Sequence, residues 1–249
     1  MVKSVLQSMP MYLFSVLSTP KLVLKVIKSI QRNFLWAGRE SREKFSLVSW
    51  EKVSIPKEKG GLGLRDPEVV GEVQGAKIWW WWCKYSQEPW VKIWHIQYVR
   101  DRPKSQLIRY NATSQGSHIW KKALAGRQII QEHSFWDIKA GNLAHFWDDS
   151  WNQLPKLGND PRWWLIRAKG LEEGRINVNQ YWEMAAQDDQ RQWAAPVRGV
   201  ANVPKVDIRA FISALQECSI MLKEGDDVLR WGYSQRGTFN ITKAYNIRI

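Results

Sequence analysis

The pattern of apolar and polar positions predicts a chain dominated by helices, and the clearest of them runs from Pro20 to Trp36. Thr19 before Pro20 favours a helix start, because the pair supplies a capping side chain and a proline in the first turn. One face of this helix is apolar at helical spacing: Val23, Val26, Ile27, Ile30 and Phe34. The opposite face is basic: Lys21, Lys25, Lys28 and Arg32. The apolar face predicts packing against a core, and Gly38 predicts the helix end.

The basic face of this helix has three interpretations. It is solvated, or it contacts phosphate groups, or it lies on a membrane surface. The sequence leaves the first two equally open and favours the third less.

Further helices alternate with short strands along the rest of the chain. Helical spacing predicts a helix over 3–17, interrupted near Pro10, and helices over 67–85, 88–98, 117–130, 178–186 and 206–215. Apolar–polar alternation predicts strands over 134–138 and 144–147, and a hairpin of 228–233 with 238–241. The predicted fold class is therefore mainly α with small β elements (α+β).

A polar, turn-rich segment over 103–117 predicts a linker between two parts of the chain. We therefore expect two domains. Residues 1–103 form an N-terminal helical domain, and residues 104–249 form a tryptophan-rich domain of mixed structure.

The segment 48–66, VSWEKVSIPKEKGGLGLRD, combines a short apolar run, a basic turn and three closely spaced glycines. Glycines at 60, 61 and 63 allow a tight turn and a close backbone approach. The segment is not a dinucleotide fingerprint, since Asp66 stands where a third glycine is required. It is not a phosphate-binding P-loop either, because no Gly-Lys-Ser/Thr follows.

The same segment carries a family resemblance. Its residues Trp50, Val53, Pro56, Lys57, Gly60, Gly61, Leu62 and Gly63 resemble a Trp-x-x-Val-x-x-Pro-Lys-x-x-Gly-Gly-Leu-Gly pattern just after the polymerase core of plant LINE-type (non-LTR) reverse transcriptases. Residues 4–38 resemble the family's thumb-like helical region, and residues 118–151 resemble its tryptophan-rich post-polymerase region. Residues 226–245 resemble the start of its zinc-binding-type module, whose Cys and His ligands the resemblance places beyond Ile249.

The chain contains 17 tryptophans, most of which we expect in the core. Four of them are consecutive, Trp79 to Trp82, and helical steps of 100° spread such a run around the helix. At least one of the four is therefore expected to be exposed. An exposed tryptophan stacks on nucleobases or anchors a protein partner.

The charge balance favours a polyanionic partner. Lys and Arg number 37 against 24 Asp and Glu, a net +13, and residues 1–65 hold 12 basic and 4 acidic residues, a net +8. The partner we expect is RNA or DNA, contacted through its backbone with low sequence specificity. The expected contacts lie on the basic helix and beside the glycine turn: Lys21, Lys25, Lys28, Arg32, Lys57, Lys59 and Arg65.

The acidic residues offer no convincing catalytic site. Reverse transcription needs paired aspartates that hold two metal ions, and this chain lacks the Tyr-x-Asp-Asp turn that supplies them. Asp148 and Asp149 fall in a Phe-Trp-x-Asp-x-Trp pattern that we interpret as structural, with Asp149 accepting an indole or backbone hydrogen bond. We interpret Asp188–Asp189 as solvated surface and Asp226–Asp227 as a plain acidic loop. No Cys or His spacing fits a zinc site, and we expect no catalytic residue, metal or cofactor.

Two hypotheses remain for function. The first is a non-catalytic fragment or derivative of a LINE-type RNA-directed DNA polymerase that grips the template–primer backbone. The second is a domesticated protein-interaction module with exposed tryptophan anchors. An active enzyme is a third and weaker alternative. Two isolated cysteines, and the absence of a signal peptide or a membrane span, predict an intracellular location in the nucleus or cytoplasm.

Overall fold

The computed structural model describes residues 13–14, 19–36, 48–100, 115–152, 154–172, 174, 176–184, 191–193, 205–217 and 221–249. Within these ranges the α-helices are α1 Lys21–Trp36, α2 Trp50–Ser54, α3 Pro67–Lys84, α4 Pro89–Trp94, α5 His118–His133, α6 Trp164–Glu172, α7 Lys205–Glu217 and α8 Ile241–Arg248. The strands are β1 Ser134–Asp137, β2 Trp182–Met184, β3 Arg191–Trp193 and β4 Val228–Trp231. Helices dominate and strands are few, which confirms the predicted fold class.

The chain divides into two compact units. The helical unit comprises the described residues within Met1–Asp101, Asn111–Glu132 and Phe239–Ile249, and the mixed unit those within His133–Thr238. The boundary predicted between residues 103 and 104 lies outside the described residues, so that division remains a prediction. The predicted helix over 3–17 also lies outside them, apart from residues 13–14.

Trp120 of α5 is the centre of an aromatic cluster in the helical unit. Its side chain is fully buried, and its ring centroid lies 5.8 Å from that of Trp79 and 5.5 Å from that of Trp82. Trp94 meets it edge-on at 5.3 Å, and Tyr98 stacks on it at 4.3 Å. The indole of Trp120 therefore packs against α3, against α4 and against the π-helical turn His95–Val99 that continues α4.

Helices α3 and α5 approach each other closely enough that only glycine fits at their crossing. A Cβ built on Gly126 would lie 1.8 Å from the backbone nitrogen of Ala76, and one on Gly75 would lie 2.1 Å from the carbonyl oxygen of Lys122. Both neighbours are backbone atoms, which cannot move aside as a flexible side chain can.

The run of four tryptophans behaves as its helical spacing predicts. Trp79, Trp80 and Trp82 are buried, and Trp81 is 42% exposed. The expectation that at least one of the four lies on the surface is confirmed.

A buried carboxylate organises the sheet end of the mixed unit. Strands β1 and β4 pair antiparallel, from Ser134 opposite Trp231 to Asp137 opposite Val228. Just before β4, the carboxylate of Asp227 accepts hydrogen bonds of 2.8–2.9 Å from the backbone N–H groups of residues 139, 141 and 143. Asp227 is therefore not part of a plain acidic loop, because its carboxylate holds the turn that follows β1.

The residues of the Phe-Trp-x-Asp-x-Trp pattern form a compact hydrogen-bonded cluster, as the structural interpretation of the pattern predicts. Asp149 accepts the backbone N–H of His145 at 2.9 Å, which confirms the predicted kind of bond. The indole of Trp147 donates to the Tyr181 hydroxyl at 2.8 Å, and that of Trp151 donates to the carbonyl of Phe146 at 3.1 Å. Asp148 pairs with Arg167 at 2.7 Å.

Several β predictions are wrong, each because a distant partner or a local cap decides the structure. Segment 228–231 pairs with β1 and not with 238–241, where the Asn240 side chain instead accepts from the Lys243 N–H and starts α8. Segment 144–147 forms only an isolated bridge between His145 and Asn177. The predicted helix over 178–186 is a 3-10 turn, Val178–Tyr181, followed by β2, which pairs with β3.

Candidate nucleic-acid interface

Helix α1 does not bury the face that its sequence predicts. Within this helix the buried side chains are Leu24 and Gln31, whereas Val23, Val26, Ile30 and Phe34 are 44–52% exposed. The prediction that this apolar face packs into the core is therefore wrong for the described residues. A neighbouring strip of the helix is buried instead, and its end packs through Leu35 and Trp36.

Three of the four basic residues predicted on α1 lie exposed along it. Lys21, Lys25 and Arg32 are spaced by four and seven residues, which places them on one side of a helix. Among the described residues, none of the three forms an ion pair. Their charge is therefore presented to solvent.

Lys28, the fourth, is engaged within the protein. Its ammonium lies 2.9 Å from a carboxylate oxygen of Asp66 and 3.1 Å from one of Glu68. Burial by itself would lower the pKa of Lys28, but the hydrogen bond to Asp66 and the charges of both carboxylates outweigh it and raise the pKa above 10.5. Because Asp66 also caps α3 through the N–H of Glu68, Lys28 fastens α1 to the start of α3.

The glycine turn folds back on helix α2. Trp50, Val53 and Leu64 form a buried cluster against which Leu35 and Trp36 of α1 pack. Gly60 adopts a left-handed conformation with φ 85°, which closes the 3-10 turn Lys57–Lys59. The turn is a structural joint between the basic helix and the chain that follows, and it forms no open loop that could surround a phosphate.

The basic residues beside this turn occupy different environments. Lys57 and Lys59 are exposed on the 3-10 turn. Arg65 is partly buried, with its guanidinium 5.8 Å from the ring centroid of Tyr245. The structure thus presents five of the seven predicted contacts to solvent and directs Lys28 and Arg65 toward protein groups.

The excess positive charge belongs mainly to the helical unit. Its three segments contain 21 basic and 10 acidic residues, a net +11 of the chain's +13. The mixed unit, residues 102–110 and 133–238, contains 16 basic and 14 acidic residues, a net +2. A polyanion would therefore be attracted more strongly to the helical unit than to the mixed one.

A small cavity of about 170 Å³ lies in the helical unit beside the basic helix. Its lining includes Lys21 and Leu24 of α1, Glu68 and Glu72 of α3, and Lys122 of α5. Lys122 is only 2% exposed, and burial lowers its pKa to about 8.

We expect Lys122→Met to stabilise the protein at pH 7 by about 1 kcal/mol, because folding no longer buries an ammonium. The folded-state pKa of Lys122 lies below its usual 10.5, so between pH 8 and 10.5 the unfolded lysine holds a proton that the folded one has lost. Stability of the parent protein rises across that window, and the advantage of the variant shrinks. Urea unfolding of both proteins from pH 7 to 10.5 measures this difference, and a pH-independent gap would contradict it.

No metal site accompanies these basic residues in the part of the chain that the structure describes. There, no group of three or more His, Cys, Asp or Glu side chains is placed to hold a metal ion. Residues Asp188 and Asp189 lie outside the described residues. Among the described helices, none is long and apolar enough to cross a membrane.

Two plant proteins are similar to this chain. It is 27% identical over 256 residues to the Arabidopsis thaliana protein named "Putative ribonuclease H protein At1g65750", an alignment that covers 98% of this chain and 37% of that protein. It is 26% identical over 145 residues to "Uncharacterized mitochondrial protein AtMg00310" of the same plant, covering 58% of this chain and 92% of that protein. The chain thus spans little more than a third of the first relative. No protein-family model and no solved structure matches it.

Proposed function

We propose that this chain is a non-catalytic, nucleic-acid-binding derivative of a plant retroelement protein, which grips the backbone of a template–primer duplex. The parent would be a LINE-type reverse transcriptase, of which this chain corresponds to the thumb-like and tryptophan-rich regions. The observation that carries the proposal is the exposed row of Lys21, Lys25 and Arg32 on α1. The name of the first relative, a ribonuclease H protein, supports an association with nucleic acid.

Lysine and arginine side chains in such a row contact the phosphates of a nucleic acid and do not recognise its base sequence. Lys21 and Lys25 are separated by about 6 Å along the helix axis, and Arg32 lies about 10 Å further on, so the three charges are spread along one side of α1 and suit several phosphates of a polyanion. Each lysine or arginine that neutralises a phosphate releases counterions, so the affinity depends steeply on salt. Lys57 and Lys59 are also exposed, on the 3-10 turn of the segment whose Trp50–Val53–Leu64 cluster packs against the end of α1. We propose that they add two further phosphate contacts. Such a protein would act in the nucleus or cytoplasm.

Charge reversal on α1 tests the proposal. We expect Lys25→Glu with Arg32→Glu to weaken binding to an unrelated RNA–DNA duplex at least tenfold and to lower the salt slope by about 2, because two phosphate contacts are lost. Fluorescence anisotropy titrations across a series of salt concentrations measure both quantities.

The matched control is Lys92→Glu with Lys223→Glu, which changes the net charge equally at two exposed lysines that do not belong to α1. It should leave most of the affinity and the salt slope intact. If the two double variants weaken binding equally, net charge alone explains the effect and the contact on α1 is refuted. If the parent protein does not bind the duplex at low salt, the whole proposal is refuted.

The protein-interaction alternative is favoured by one observation in the mixed unit. An open pocket of about 490 Å³ there is mainly apolar and includes buried Trp147 and Trp163 beside Trp164, which is 62% exposed. A near-neutral unit with an exposed tryptophan suits an apolar anchor from a protein partner. If the titration shows no binding of the duplex, the protein-interaction alternative is favoured.

A further inference from the structure

The exposed side of α3 carries an arrangement of aromatic and basic side chains that the duplex contact does not use. Lys77, Trp81 and Tyr85 follow one another at intervals of four residues along α3 and its C-terminal cap, so they share one side of the helix. Trp81 is 42% exposed and Tyr85 48% exposed. Lys84, three residues after Trp81, borders the same side.

Lysine side chains already lie over the indoles at this place. The ammonium of Lys77 lies 4.5 Å from the ring centroid of Trp81, and that of Lys84 lies 5.5 Å from the ring centroid of Trp80. Each contact orients a positive charge next to an aromatic surface. The buried neighbours Trp79 and Trp82 fix the helix position, so the indole of Trp81 is held on a rigid support.

The charge of this surface is complementary to nucleic acid. Helix α3 contains two carboxylates, Glu68 and Glu72, both in its first two turns. Glu68 pairs with Lys28 at 3.1 Å, and Glu72 pairs with Arg248 at 2.7 Å. The second half of α3 therefore has lysines and aromatic rings without an acidic side chain, in the unit that holds +11 of the net charge.

We propose that Trp81 and Tyr85 form a stacking platform for unpaired bases of a single-stranded nucleic acid, with Lys77 and Lys84 contacting its phosphates. The inference rests on the proposed nucleic-acid-binding function and adds a second contact on another helix. Aromatic stacking accepts any base, because every base has a π face, so the platform binds without sequence preference. A duplex hides its base faces, so this surface recognises strand ends and unpaired template.

The test compares two oligonucleotides with the same backbone. One is a short oligodeoxythymidylate, and the other has the same length and phosphates but abasic sugars. We expect the parent protein to bind the first about tenfold more tightly, since one stacked base contributes roughly that factor. Trp81→Ala should abolish the difference, Trp81→Phe should retain most of it, and Trp164→Ala should leave it unchanged. Circular dichroism verifies that all the variants remain folded.

The outcomes separate this inference from the proposed function. If the parent binds the RNA–DNA duplex but does not distinguish the two oligonucleotides, the stacking platform is refuted and the duplex contact stands. If Trp81→Ala binds both oligonucleotides as the parent does, the platform is also refuted, and exposed Trp81 would then be an anchor for a protein partner. If neither duplex nor single strand is bound at low salt, the proposed function fails as well.

Discussion

Trp120→Ala is expected to remove about 4 kcal/mol from the free energy of unfolding. Truncation of a fully buried tryptophan loses its transfer free energy and leaves a cavity, a combination that usually costs about 3–5 kcal/mol. Here the lost ring contacts four aromatic neighbours from three elements, with centroid distances between 4.3 and 5.8 Å. Because domains are stable by about 5–15 kcal/mol, this one change removes a large part of the total. Guanidinium unfolding followed by circular dichroism measures it.

Trp81→Ala is the matched control, since it deletes the same side chain from the exposed side of α3. It should cost clearly less than Trp120→Ala, about 1–2 kcal/mol, because 42% of the Trp81 side chain is exposed and only part of its apolar area is lost from the interior. Trp120→Phe should cost less than Trp120→Ala, because it keeps a ring and removes a buried indole N–H that has no hydrogen-bond partner in the described structure. Equal losses for Trp120→Ala and Trp81→Ala would contradict the aromatic core described above.

The elements that the sequence predicts correctly are those that local periodicity determines. Helices α1, α3, α5 and α7 carry apolar residues at helical spacing or a capping residue at the start, and the structure contains each of them. The sequence pattern predicts no helix at α6, because WLIRAKGLE has almost no segregation of apolar and polar faces. The alternation over 228–233 predicts a local hairpin, whereas β4 pairs with β1, about ninety residues earlier, and Arg230 and Asp137 of the two strands form an ion pair.

The candidate site was predictable in part for the same reason. Exposure of Lys21, Lys25 and Arg32 follows from helix geometry, but the engagement of Lys28 depends on Asp66 and Glu68, which are about forty residues away in sequence. Helical spacing identifies the apolar face of α1 but not what packs against it, and the predicted packing of that face into the core is therefore wrong. The spacing of Lys77, Trp81 and Tyr85 was also readable in the sequence, although only the structure shows which of four consecutive tryptophans is exposed.

The two units combine different physical properties. The helical unit holds nearly all of the net charge, the exposed row on α1 and the aromatic side of α3. The mixed unit is near neutral, and it buries Trp147 and Trp151, whose indoles donate hydrogen bonds within the unit. Loss of nucleic-acid binding should therefore follow from charge reversal in the helical unit, whereas a protein partner would find its apolar contact near Trp164.

Gly126→Ala is expected to destabilise the helical unit by about 3 kcal/mol or more, although alanine is the better helix former. The new Cβ would lie 1.8 Å from the nitrogen of Ala76 and 2.3 Å from the carbonyl carbon of Gly75. Real Cβ atoms do not approach backbone atoms so closely, so α3 and α5 must separate and lose contacts around Trp120. Overpacking of a rigid core usually costs about 1–3 kcal/mol, and a clash with backbone falls at or above the upper end of that range.

Gly71→Ala makes the same substitution on α3 at a position where no atom lies within 4 Å of the added Cβ. It should raise the free energy of unfolding by about 0.5–1 kcal/mol, since alanine loses less backbone entropy than glycine in a helix. Denaturant unfolding measures the change in the free energy of unfolding for both variants. Opposite signs of that change would show that the close approach of α3 and α5, and not helix propensity, determines the effect at Gly126. Stabilisation by both would show that α3 and α5 are not in backbone contact, and the proposed rigid support for Trp81 would then lose its basis.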